Sequence, residues 1–255
     1  MLQGIVLPGD PKGSMVGPNY FTPAPTDAKQ KTKAIVLLTD IFGLPLPNPR
    51  IVADHLAEHI GVDVWVPDFF NGKPPFNVND LEPLMPDRAG VKFTWANIAL
   101  LIFKVLPAIP GMIFNRPSIV DARVHEMIKA EKGYEKIGAV GQILLWRFHG
   151  RPSGFDDSVN TIVIAHPSTL KPAQIQAIKV PTSWALAEED MSFKDSDVKT
   201  AQDIFNKLNH VEYEFKIWKG TFHGFAVRPN LQVPEVKAGY EGALDQTVAW
   251  FKKTL

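Results

Sequence analysis

A chain of 255 residues is long enough to bury a large core, and it fits one α/β domain or two small ones. Hydrophobic residues make up 45% and charged residues 21%, ordinary values for a globular protein, and 27 basic against 27 acidic side chains leave no net charge. That balance offers no electrostatic reason to expect nucleic acid or an anionic membrane as a partner. The lack of cysteine excludes disulfides, thiolate metal sites and, for the chain as it stands, a cysteine nucleophile.

Met1–Pro8 has neither the basic start nor the long apolar stretch of a secretory leader, so a cytoplasmic location is expected. Residues 8–30 are rich in Pro, Gly, Thr and Lys and read as an irregular lead-in. Lys33–Asp40 is an apolar run with polar flanks, which predicts a strand buried on both faces. Pro49 opens a helix through His59, with Ile51, Val52, His55, Leu56 and His59 at helical spacing. Val62–Pro67 is the next strand. Residues 71–113 contain many prolines and read as an insertion over the carboxyl edge of the sheet, with an apolar helix near 94–106. Its apolar core, Ile98–Leu106, is too short to span a bilayer and contains Lys104, so it reads as a core or lid helix.

A helix over 118–132 follows, with Ile119, Ala122, Val124 and Ile128 apolar, and then a strand at 137–141. Asn160–Ala165 is a strand ending at His166-Pro167-Ser168. The strand 181–187 leads to Asp190, the helix 196–208 to the strand 211–218, and that strand to a loop holding His223. The helix 235–253 closes the chain. Repeated β-then-α order predicts one α/β domain over 1–255, with a mostly parallel central sheet and helices on both faces. Ligands in such folds bind outside the carboxyl ends of the strands. Asp40, position 143, Asp190 and His223 all fall there.

The order of these positions is that of a nucleophile, acid and histidine triad, in which a carboxylate orients an imidazole that takes the nucleophile's proton. The segment Ile137-Gly138-Ala139-Val140-Gly141-Gln142-Ile143-Leu144-Leu145-Trp146 carries no nucleophile, however. Thr39–Gly43, Val66–Gly72, Ile137–Gly141, Ala187–Asp190 and Phe222–Arg228 together resemble the dienelactone hydrolase family of α/β-hydrolases, from about residue 30 to the end. The resemblance implies roles residue by residue. Asp190 is similar to the triad acid and His223 to the base. Asp40 stands where the family often has a glutamate that contacts the nucleophile. The Ile41 N–H resembles one oxyanion donor, with Leu144, the residue after the nucleophile position, as the other pocket position. Arg228 resembles an arginine that can meet a substrate carboxylate. No metal and no organic cofactor is implied, and the implied partner is a small-molecule ester or lactone; the oligomeric state is open, with a monomer as the default expectation.

The family's nucleophile is the cysteine of Gly-x-Cys-x-Gly-Gly. Counted from Gly141, Ile143 takes the cysteine position, and Leu145 and Trp146 take the two glycine positions. Small residues there allow a strained turn and a close approach of helix and substrate; Leu and Trp allow neither. Gln142–Arg151 can be back-translated so that reading one base later gives Arg-Tyr-Cys-Phe-Gly-Gly-Phe-Met-Ala. A local frameshift or misplaced splice junction is therefore expected, with family sequence resuming by about Val159. If the protein carries these residues, crowding at Trp146 and Arg147 is expected to cost about 1–3 kcal/mol and to disorder residues 142–158.

Bland readings stand beside these. Asp190 also suits a local cap or turn, together with Ser192 and Asp195. His166 ends a strand and can line a pocket, but a structural hydrogen bond is the simpler expectation. His55 and His59 share a helix face without a third ligand in view. Ser153 and Ser168 are not in a nucleophile elbow, and His149 lies in the suspect segment. No phosphate-binding loop is present. Two functions follow: a hydrolase of esters or lactones, or a catalytically dead relative that binds small molecules.

Overall fold

The computed structural model describes residues 6–26, 32–114, 133–141, 159–208 and 211–255. Eight strands form one sheet: β1 (Ser14–Val16), β2 (Asn19–Thr22), β3 (Lys33–Leu38), β4 (Asp63–Val66), β5 (Lys136–Gly141), β6 (Thr161–Ala165), β7 (Thr182–Glu189) and β8 (Tyr213–Phe222). Their spatial order is β1-β2-β4-β3-β5-β6-β7-β8. The run from β4 to β8 is parallel, while β1–β2 and β2–β4 are antiparallel.

Apolar residues on both sides of each central strand explain the two layers of helices. Along β3, Ala34, Val36 and Leu38 enter one core and Ile35 and Leu37 the other, as the alternation of side chains requires. The first core packs α5 (Pro172–Gln176) and α6 (Asp195–Phe205) beneath Trp184, which stacks on Phe215 at 5.0 Å. The second packs α1 (Asn48–Ile60) and α7 (Pro234–Thr254) on the opposite face. Helix α7 lies so close to β5 that a Cβ at Gly138 would come within 2.7 Å of Phe251.

The first two strands correct the expected irregular lead-in. Its Pro and Gly residues mark a tight turn at Gly17-Pro18, with Ser14 opposite Phe21 across the hairpin. Strand β1 is exposed throughout, so it lacks the apolar signal of a core strand. The hairpin is held by Asp54 of α1, which accepts hydrogen bonds from the Tyr20 hydroxyl at 2.8 Å, the Lys12 N–H at 2.6 Å and the Thr22 hydroxyl.

Between β4 and β5 lie α2 (Val78–Leu81), a 3-10 turn (Glu82–Leu84), α3 (Trp95–Val105), a second 3-10 turn (Leu106–Ala108) and α4 (Ile109–Phe114). The Thr94 side chain caps α3 by accepting from the Asn97 N–H at 3.1 Å. No residue of α3 is buried, and Trp95 is 87% exposed, so this helix is not core. Contacts run from this segment to the ends of β7 and β8. Ala89 N–H donates to the Gly220 carbonyl, Gly90 N–H donates to Glu189, and Phe93 meets Phe222 edge-on at 6.2 Å. The helix expected over 118–132 lies outside the described residues.

Candidate active site

Strands β7 and β8 deliver two functional side chains side by side. Their register is irregular between Ala187 and Glu189 and closes on the pair Glu189–Phe222. The next residue on each strand is Asp190 and His223. His223 Nδ1 lies 2.8 Å from both carboxylate oxygens of Asp190, and the two side chains are only 9% and 4% exposed. An ionised carboxylate only accepts, so Nδ1 carries a proton and Nε2 is the nitrogen turned away from the carboxylate. Among the described residues Nε2 has no hydrogen-bond partner.

Asp190 is itself anchored. Its Oδ1 accepts the N–H groups of Ser192 at 2.7 Å and Phe193 at 3.1 Å. The local-turn reading of Asp190 and its pairing with His223 therefore hold together. The backbone donors fix the carboxylate that in turn orients the imidazole.

The other half of the edge is built on β3. Asp40 is fully buried; Oδ1 accepts the Phe42 N–H at 2.9 Å and Oδ2 accepts Arg228 Nε at 2.8 Å. The Ile41 N–H, between them in sequence, makes no hydrogen bond among the described residues. Arg228 comes from the turn that follows His223, where its N–H donates to the Gly224 carbonyl at 2.9 Å. Gly224 has φ +95°, and a Cβ there would stand 2.6 Å from the Arg228 guanidinium, so glycine is required both for the turn and for the arginine.

Arg228 does not present itself as expected. Instead of facing the site free for a substrate carboxylate, its Nη1 pairs with Glu82, and its guanidinium lies 4.7 Å from the Phe42 ring. Asn48, buried at the start of α1, donates to the Val227 carbonyl at 2.7 Å and so braces the same loop. Sequence reading missed both residues. Asn48 resembles a helix-start residue, and Glu82 sits before Pro83 in a proline-rich stretch that looks solvated.

His166 also departs from expectation. It is completely buried at the end of β6, with φ +33°, and neither ring nitrogen has a hydrogen-bond partner among the described residues. Its ring meets His223 edge-on at 5.1 Å and Phe225 at 6.0 Å. Burial, and secondarily the neighbouring His223, hold its ring well below the ordinary 6.5 for a histidine, so it is neutral. His55 and His59 stack at 3.8 Å, and among the described residues no group of three or more His, Asp or Glu is placed to hold a metal ion. Positions Ile143 and Leu144, with His149 and Ser153, lie outside the described residues. Among the described residues no helix is long and apolar enough to cross a membrane.

A mostly parallel sheet with helices on both faces and a carboxylate–imidazole pair at its carboxyl edge defines an α/β-hydrolase. The sequence pattern of the dienelactone hydrolase family matches residues 21–255, and the chain belongs to that family. It is 29% identical over 260 residues to the protein named hydrolase tropI of Talaromyces stipitatus, covering 98% of this chain and 94% of that one. It is 26% identical over 244 residues to the human carboxymethylenebutenolidase homolog, covering 92% and 86%. The crystal structure of dienelactone hydrolase from Anabaena variabilis shares the fold, with a TM-score of 0.55 at 13% identity over 93% of this chain and 91% of that one.

Proposed function

We propose that this protein hydrolyses a carboxylic ester or lactone, with His223 as the base and Asp190 as the residue that orients it. The supporting observation is the buried pair at 2.8 Å, whose Nε2 has no partner among the described residues. In this reading a nucleophile at the β5 elbow gives its proton to Nε2 and attacks the carbonyl carbon. The Ile41 N–H, with that of Leu144, holds the oxyanion that forms. The imidazolium then returns its proton to the leaving alkoxide, leaving an acyl-enzyme that water hydrolyses by the same route. The molecule acts as one domain, with 71–113 as a lid over the pocket, and works as a cytoplasmic monomer without metal or cofactor.

The nucleophile position is the weak link, because Ile143 can give no proton and make no acyl bond. The proposal therefore includes a shifted reading frame across 142–158, whose correct frame supplies the cysteine and its two glycines. Sequencing the transcript across codons 135–160 tests this directly. A frame encoding Gly-x-Cys-x-Gly-Gly or its near variant supports a hydrolase. Codons matching Gln142–Trp146 turn the search to ligand binding, the second reading, which Ile143, Leu145 and Trp146 favour.

A further inference from the structure

We infer that Glu82 is a specificity-determining residue that closes the site to carboxylate-bearing substrates and selects uncharged esters or lactones. The inference rests on the hydrolase reading of the pocket.

A planar guanidinium offers five N–H donors in a fixed fork and binds a carboxylate best through two of them. Here Nε of Arg228 serves Asp40 and Nη1 serves Glu82, while the Phe42 ring lies 4.7 Å away. The three charged side chains are 8%, 0% and 6% exposed, so water screens them little. One cation between two carboxylates leaves a buried excess of one negative charge. A ligand carboxylate arriving there must either displace Glu82 or sit beside this excess, and like charges at close range oppose binding.

The two carboxylates do not have the same origin. Asp40 lies two residues past the end of β3 and is locked by the Phe42 N–H. Glu82 comes from the 71–113 segment, in the 3-10 turn after α2, so the arginine is filled from the lid side.

The test is binding, which does not depend on a working nucleophile. Coumarin-3-carboxamide and coumarin-3-carboxylate are fluorescent lactones that differ at one substituent. The wild-type chain is expected to bind the carboxylate about tenfold or more weakly than the carboxamide. Glu82→Gln, checked for fold by circular dichroism, is expected to strengthen carboxylate binding by about tenfold while changing the carboxamide by less than about twofold. Equal or tighter wild-type binding of the carboxylate overturns the inference without any variant, and so does a folded Glu82→Gln chain with an unchanged ratio. If neither coumarin binds at millimolar concentration, the ligand-pocket reading fails first and takes this inference with it.

Discussion

Two buried ionic constellations stand at the same edge of the sheet, and they are built to opposite ends. Asp190–His223 is an unfinished arrangement: the carboxylate is engaged by His223 and two backbone N–H groups, but one nitrogen of the imidazole has no partner among the described residues. In Asp40–Arg228–Glu82 the cation faces a carboxylate on each side. An open hydrogen-bonding position beside a fixed partner suits chemistry, whereas a closed charge cluster suits architecture and selectivity. Burial alone does not distinguish them, because both are almost completely shielded from water.

The widest separation should appear in turnover. Hydrolysis of p-nitrophenyl acetate by the chain with Ile143 should stay near background, and Ile143→Cys alone should not raise it. Replacing the whole elbow with Gly-Tyr-Cys-Phe-Gly-Gly should raise it about 1,000-fold or more. In that restored protein, Asp190→Asn should remove about 1,000- to 10,000-fold. Equal inactivity of the single and whole-elbow variants would count against the frameshift model.

Stability should then rank the constellations the other way. Arg228→Met leaves two buried carboxylates unpaired and should cost about 3–5 kcal/mol in urea unfolding. His223→Gln, with Asp190 still holding its backbone donors, should cost about 1 kcal/mol or less. Equal losses would mean that the two constellations contribute alike to stability. Gly224→Ala, which forces a Cβ toward the guanidinium at positive φ, should cost about 1–3 kcal/mol.

A smaller effect concerns His166. Its ring is held neutral in the fold but titrates near 6.5 when unfolded. The unfolded state therefore binds more protons below that pH, and stability contributed by this site is present above about pH 6.5 and declines as pH falls. The slope is at most about 1.4 kcal/mol per pH unit for one proton. His166→Phe should flatten the decline in a series of unfolding curves between pH 7 and 5. An unchanged slope would mean that the ring is not the group responsible.

Much of the scaffold is legible from residue order because β3 to β7 are apolar on both faces, and buried strands cannot hide their composition. Asp190 is legible for a related reason, because it directly follows β7; His223 follows β8, an edge strand whose apolar residues are interspersed with Glu214, Lys216 and Lys219. Strand β1 is not, because an exposed edge strand has no apolar requirement to write into the sequence. Nor is Glu82, whose buried partner is supplied by a loop far along the chain. His166 is visible as a strand-end residue, but among the described residues its ring finds no partner for the expected hydrogen bond. A buried polar group is normally paired, and only the three-dimensional arrangement reveals an exception.

The seam between β3 and β5 has a kinetic consequence. Thr32 and Glu135, which touch at its foot, are 103 residues apart, whereas Ser183 and Glu214, joining β7 to β8, are 31 apart. Closing a loop of the first length costs about 4 kcal/mol of chain entropy, about 1 kcal/mol more than the second. Pulse-labelled hydrogen exchange should find β7–β8 amides protected before those of the seam, and the reverse order would refute this. The acid and the histidine thus assemble within the locally wired half of the chain, and Asp40 joins them when the long loop closes.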